Sequence, residues 1–157
     1  MANYWDTVNL IVETSRPEEK EWLLRVFENG RMSAADWSLI PIEDAEGRDP
    51  AELCTWGYDA SDASERWGDV SGVWLCSTDN ENVDIGTMVR ILMVFQLKFR
   101  KTEPIIVTWA HHCSSPRPYS TSGGAAAIFH GEAWWFTPDE AAIEKIKQLG
   151  GTPLEER

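Results

Sequence analysis

Basic residues are scarce in this chain: 14 lysines and arginines stand against 26 aspartates and glutamates, a formal net charge of −12. A chain this acidic repels nucleic-acid phosphates and anionic membrane surfaces, so direct binding to either is not expected. Cysteine is scarce too. Cys54, Cys76 and Cys113 make an odd number with no short pairing pattern, which fits free thiols in a reducing compartment better than a disulfide framework. No CxxC, HxxxH or HExxH spacing is present, so neither a metal site nor a cofactor is expected. Long apolar runs are missing as well. The best stretch, around Ile91 to Phe95, is flanked by Arg90, Lys98 and Arg100 and falls far short of a membrane span. Met1 to Leu10 lacks the charged and apolar regions of a secretion signal, which points to a cytoplasmic protein.

What the chain does have is tryptophan, nine of them. Tryptophan buries a large area and keeps one donor, so it serves cores and interfaces equally well. Most of the nine are expected in the core and one or two at a binding surface. The length, 157 residues, suits a single domain spanning 1–157.

Hydrophobic patterning sets the order of elements. Tyr4 to Glu13 is a strand. Ser15-Arg16-Pro17-Glu18 reads as a capping box, and a helix follows to about Glu28, stopped by Asn29-Gly30. Asp36 to Ile42 reads as a short strand. Residues 43–69 are then an ordered acidic excursion, with a short helix near Ser61, pinned by Trp56, Tyr58 and Trp67. Ser71 to Thr78 is a strand, and Asp84 caps an apolar segment over Ile85 to Phe99 that fits a buried helix, although Phe95, Leu97 and Phe99 also alternate like a strand. Ile105 to Thr108 is a central strand. Residues 109–124 are expected as a loop and turn. Ala125 to Phe136 forms a hairpin, and Thr137 caps a last helix with Ile143, Ile146 and Leu149 inward. This order predicts an α+β protein: a ferredoxin-like βαββαβ core with an added C-terminal β-hairpin and helix.

Four reactive side chains fall within seven positions: His111, His112, Cys113 and Arg117. They raise the possibility of a small hydrolase or thiol enzyme. Adjacent histidines on a strand point to opposite faces, and no recognised catalytic spacing is present. No catalytic residue is therefore assigned. Arg117 lies between Pro116 and Pro118, which stiffen the backbone that presents it; it suits a carboxylate or a phosphate of a partner, and equally the carboxylates of the chain's own acidic excursion. Ser122-Gly123-Gly124 lacks the lysine of a phosphate loop and reads as a tight bend.

Residues 105–136 are the most distinctive stretch. The runs Ile-Ile-Val-Thr-Trp-Ala-His-His-Cys-Ser-Ser-Pro-Arg-Pro, Gly-Gly-Ala-Ala-Ala-Ile-Phe and Glu-Ala-Trp-Trp resemble a segment of small phage-encoded proteins of unknown function. The layout of Trp5, Trp67-Gly68, Trp109, Pro116 and Pro118 is loosely similar to the YubB-type ferredoxin-like domain of plasmids and phages. Neither resemblance carries an assigned activity; both imply a mobile-element origin.

The expectation that joins these strands is an inhibitor. Residues 43–69 hold nine acids against Arg48 and Arg66. Glu43, Asp44, Glu46, Asp49, Glu52, Asp59, Asp62, Glu65 and Asp69 would imitate nucleic-acid phosphates, and with Arg117 they would dock on a basic surface of a host protein or nucleoprotein complex. Such a protein would act as a DNA mimic on a defence complex, as anti-CRISPR proteins do. A phage structural or assembly component remains the other alternative, because a helix as apolar as Ile85 to Phe99 is sometimes covered by a second chain.

Overall fold

The computed structural model describes residues 4–40, 53–78, 82–114 and 122–151. Its elements are β1 (Tyr4–Glu13), α1 (Pro17–Asn29), α2 (Ala34–Trp37), β2 (Tyr58–Asp62), β3 (Gly72–Ser77), α3 (Ile85–Lys98), β4 (Ile105–Cys113), β5 (Ser122–Phe129), β6 (Glu132–Phe136) and α4 (Pro138–Gln148). The class is α+β. All six strands join one sheet in the order β2-β3-β1-β4-β5-β6, and every pairing is antiparallel.

Strand alternation gives the sheet two different faces. Val8 and Val12 of β1, Val73 and Leu75 of β3, Val107 of β4, and Ala126 and Ile128 of β5 are buried. Over this face lie α1, against β2 and β3, and α3, against β5 and β6. Trp22, Leu23, Val26 and Phe27 of α1 meet the core, as do Met88, Ile91, Leu92 and Phe95 of α3. Each such side chain contributes about 1.5–3 kcal/mol by leaving water. The apolar character of α3 is thus accounted for within the chain, which removes the observation that favoured an assembly component. Among the described residues, no helix layer of this kind covers the opposite face. That face carries Ile106, Trp134 and Phe136 largely exposed.

Strand β1 divides its pairing. Tyr4 to Val8 pair with β4, whereas Asn9 to Glu13 pair with β3. The two halves of the sheet therefore meet along one strand.

Charged and polar clasps tie the helices together. Trp22 Nε1 donates to Asp36 Oδ2 at 3.0 Å, and Lys98 Nζ donates to Asp36 Oδ1 at 2.7 Å. One carboxylate thus links α1, α2 and α3. Burial pushes the Asp36 carboxyl up, but bonds from Lys98 and Trp22 outweigh it and hold the group below its ordinary value.

Several local expectations change. The α1 cap is one residue further on: Glu19, not Glu18, turns back to accept from Ser15 N–H at 2.6 Å and Arg16 N–H at 3.4 Å. Asp36 to Ile40 is not a strand. Ser33 Oγ accepts from Asp36 N–H at 3.1 Å and caps the short helix α2, with Ala34 and Ala35 as good helix formers; 41 and 42 lie outside the described residues. Ser61 itself lies in strand β2, and the short helix expected near it is a 3-10 helix at Ala63–Glu65. Tyr58 is a true anchor, buried with its hydroxyl donating to Asp84 C=O at 2.9 Å. Trp56 is not, being 72% exposed.

Residues 109–113 extend β4 and 122–124 begin β5, where a loop and a bend were expected. Gly123 and Gly124 are paired strand residues opposite Ala110 and Trp109. A Cβ on Gly124 would stand 2.4 Å from the Trp109 ring, so close approach, not a turn, explains the glycine. The last helix keeps its predicted cap, with Thr137 Oγ1 accepting from Glu140 N–H at 3.3 Å. It buries no residue, however. Ile143 is half-buried, but Ile146 and Leu149 are exposed rather than inward.

Candidate functional site

Of the acids singled out in the sequence, Glu43, Asp44, Glu46, Asp49 and Glu52 lie outside the described residues, as does Arg117. The four that are described do not form one group. Asp59, Asp62 and Glu65 line an open trough of about 1170 Å³ between the C-terminal end of α1, the segment 53–57 and β2. Asp69 lies elsewhere, in a smaller cleft of about 450 Å³ with Glu13, Glu103 and Lys101.

The trough is made by β2 being the sheet's edge. Asp59 is exposed on β2, and Glu65 is exposed on the 3-10 turn. Asp62 closes the strand. Its Oδ1 accepts from Ser64 N–H at 2.9 Å and its Oδ2 from Lys20 Nζ at 2.9 Å. Hydrogen bonds from Lys20 and then Ser64 draw its carboxyl down to about 2, so it stays charged at any working pH. Lys20 answers that charge locally, which makes Asp59 and Glu65 the better partners for an incoming cation. Glu28 joins them from α1. Sequence reasoning missed Glu28, although Glu21 and Glu28 recur at the spacing that marks the outer face of a helix. Among the lining residues four are acids, and Arg31 is the cation.

The Arg66 charge is directed elsewhere. The Arg66 guanidinium lies 4.8 Å from the Trp74 ring and 5.5 Å from the Trp67 ring. Trp67 stands edge-on to Trp74, with centroids 5.1 Å apart. These three side chains cover part of the sheet face that has no helix layer.

The histidines form two separate contacts. His111 Nδ1 is 2.7 Å from Asp6 Oδ1. His112 stacks on Trp5 at 5.6 Å, and its Nε2 is 2.9 Å from Thr7 Oγ1. Alternation along β1 and β4 puts the two rings on opposite faces. Among the described residues no three His, Cys, Asp or Glu side chains come together as a metal site. The three cysteines form no disulfide. Burial pushes the Cys76 thiol up, and the Asp59 charge across the ladder adds to it, so Cys76 is poorly suited to act as a thiolate. No described helix is long and apolar enough to cross a membrane.

No protein-family model, curated protein or solved structure matches this chain.

Proposed function

We propose that this protein is an inhibitor of phage or mobile-element origin that docks through its acidic surface on a basic groove of a host nucleic-acid-handling complex, in the bacterial cytoplasm. The observation that carries this is the trough: Glu28 of α1, Asp59 and Asp62 of β2, and Glu65 of the following turn all line one open concavity. Spaced carboxylates on a rigid edge resemble a row of phosphates to a Lys/Arg surface, steer its approach and weaken with salt. The −12 charge of the whole chain supports a basic partner rather than nucleic acid itself. The sheet order supports a ferredoxin-like core as the scaffold. Its first four strands run β2-β3-β1-β4, the arrangement of a split βαβ core, with β5, β6 and α4 added.

The test is affinity purification from a candidate host with wild type and with a Glu28→Lys, Asp59→Lys, Glu65→Lys variant. Asp62 is left intact because it caps the turn. Wild type should retain a basic nucleoprotein complex that high salt releases. The triple variant should bind that complex weaker by about 100-fold or more, since charge reversal turns attraction into repulsion at close range. Equal capture by both proteins would end the acidic-surface reading.

One observation keeps the enzyme reading in view. The Asp6–His111 contact is the carboxylate–imidazole pair that general-base chemistry uses to orient its ring. Cys113 lies two residues further along the same strand. If the pair activates this thiol, iodoacetamide should alkylate Cys113 unusually fast in mild acid, and His111→Ala should slow it by about tenfold or more. For an inhibitor, the expected result is an ordinary rate that His111→Ala leaves unchanged.

A further inference from the structure

Among the described residues, the outer side of β2 is an unpaired sheet edge. Among the described residues this strand pairs with β3 alone. Two hydrogen bonds fix which of its backbone groups are used. Thr78 N–H donates to Gly57 C=O at 2.7 Å, in register with Tyr58↔Ser77 through Asp62↔Val73. In an antiparallel ladder the bonded pairs alternate. Asp59 and Ser61 therefore bond to β3, while Tyr58, Ala60 and Asp62 turn their backbone groups away from it. Tyr58 N–H is taken by Thr55 C=O at 3.2 Å. Ala60, at the strand's centre, presents both N–H and C=O to the trough.

The walls of the trough differ across this edge. On the helix side stand Leu24 of α1 and Leu53, both half-buried. On the opposite side of the pleat is Asp59, with Glu65 just beyond the strand. Carboxylates on an edge also discourage pairing with another copy of so acidic a chain. What they admit is a strand of opposite charge.

We propose that β2 is a strand-addition site for an extended basic peptide segment of the partner, which joins the sheet antiparallel to β2 as a seventh strand. This rests on the acidic surface being the partner-binding surface, and it specifies what that surface accepts. The residues of the peptide that bond to Ala60 and its neighbours lie directly opposite them and share their face, so their side chains turn toward α1, Leu24 and Leu53. The intervening residues turn toward Asp59. The segment recognised therefore alternates apolar residues with lysine or arginine. Main-chain bonds supply affinity and the alternate side chains supply the choice of sequence.

The probe is a fluorescein-labelled peptide of alternating valine and lysine, long enough to span the five residues of β2, followed by fluorescence anisotropy with the full chain. The unmodified peptide should bind. N-methylation of its valines removes the amides that face β2 and should weaken binding by about tenfold or more. N-methylation of its lysines alters only the outer edge and should be tolerated. Asp59→Lys with Glu65→Lys should also weaken binding by about tenfold or more. No binding of the unmodified peptide, or equal binding of the two methylated forms, overturns strand addition. If methylation has no effect but charge reversal does, the acidic surface stands and the strand falls. If charge reversal has no effect, the acidic-surface reading itself fails. The methylated peptides leave the protein unaltered, so misfolding of a variant does not confuse the first comparison.

Discussion

Gln96→Leu is expected to lower the free energy of unfolding by about 3–5 kcal/mol, a large part of what a domain of this size possesses. Gln96 is 1% exposed, at the inner face of α3. Its Nε2 donates to Ile128 C=O at 2.9 Å and to Glu103 C=O at 3.1 Å. Its Oε1 accepts from Gly131 N–H at 3.0 Å. One amide thereby fastens α3 to the turn of the β5–β6 hairpin and to the segment that leads into β4. Leucine has nearly the same volume, so packing is preserved and the hydrogen bonds are what is lost. The buried Gly131 N–H is then left without its partner, at about 1–3 kcal/mol, and the Ile128 C=O, which is paired with Ile105 in the ladder, loses its second bond, at about 0.5–1.5 kcal/mol. The hairpin turn has little freedom to find others. Gly131 sits at φ 73°, and a Cβ there would lie 2.3 Å from Leu97 Cγ. Urea denaturation followed by tryptophan fluorescence measures the change. A loss below about 1 kcal/mol would mean that water or a shift of the turn satisfies both groups.

What the sequence made legible follows from where its signals are strong. Tyr4 to Glu13, the helix stop at Gly30, the Asp84 cap, the α3 helix and the hairpin all carry periodicity or capping chemistry within their own residues. Strand β2 does not. Tyr58-Asp-Ala-Ser-Asp has one large apolar side chain and two acids, a composition with low strand propensity; its extended form comes from pairing with β3. Likewise Ala110-His111-His112-Cys113 has no apolar alternation, and it is a strand because the start of β1 pairs with it. The exposed apolar side of α4 could not be told from a buried one by spacing alone, since periodicity identifies a face but not what covers it. The candidate site was half visible. Asp59, Asp62 and Glu65 stood out in the acid count, but Asp69 and Glu28 were sorted by the turn after β2 and by the packing of α1, which are tertiary.

Glu19→Ala should cost about 3–5 kcal/mol at neutral pH, because it leaves a largely buried ammonium without its counter-charge. Glu19 is 2% exposed. Lys101 Nζ approaches it at 3.3 Å, and the lysine side chain is itself only 11% exposed. The same carboxylate caps α1 through Ser15 N–H and Arg16 N–H. It therefore anchors the start of α1 to the segment between α3 and β4. Burial pushes the Glu19 carboxyl up, yet the Ser15 bond and Lys101 outweigh it and hold the group below its ordinary value of 4.5. A carboxylate depressed in the folded state stabilises above its unfolded pKa and loses that contribution as pH falls through the folded one. The wild type should thus lose stability in acid more steeply than the variant, and the gap between them should narrow below the usual carboxylate range. Denaturation curves of both proteins at neutral and acid pH decide it. A cost that stays the same at both would assign the effect to lost packing. A cost near zero at neutral pH would mean that Lys101 reaches solvent and the pair is screened like an ion pair on the surface.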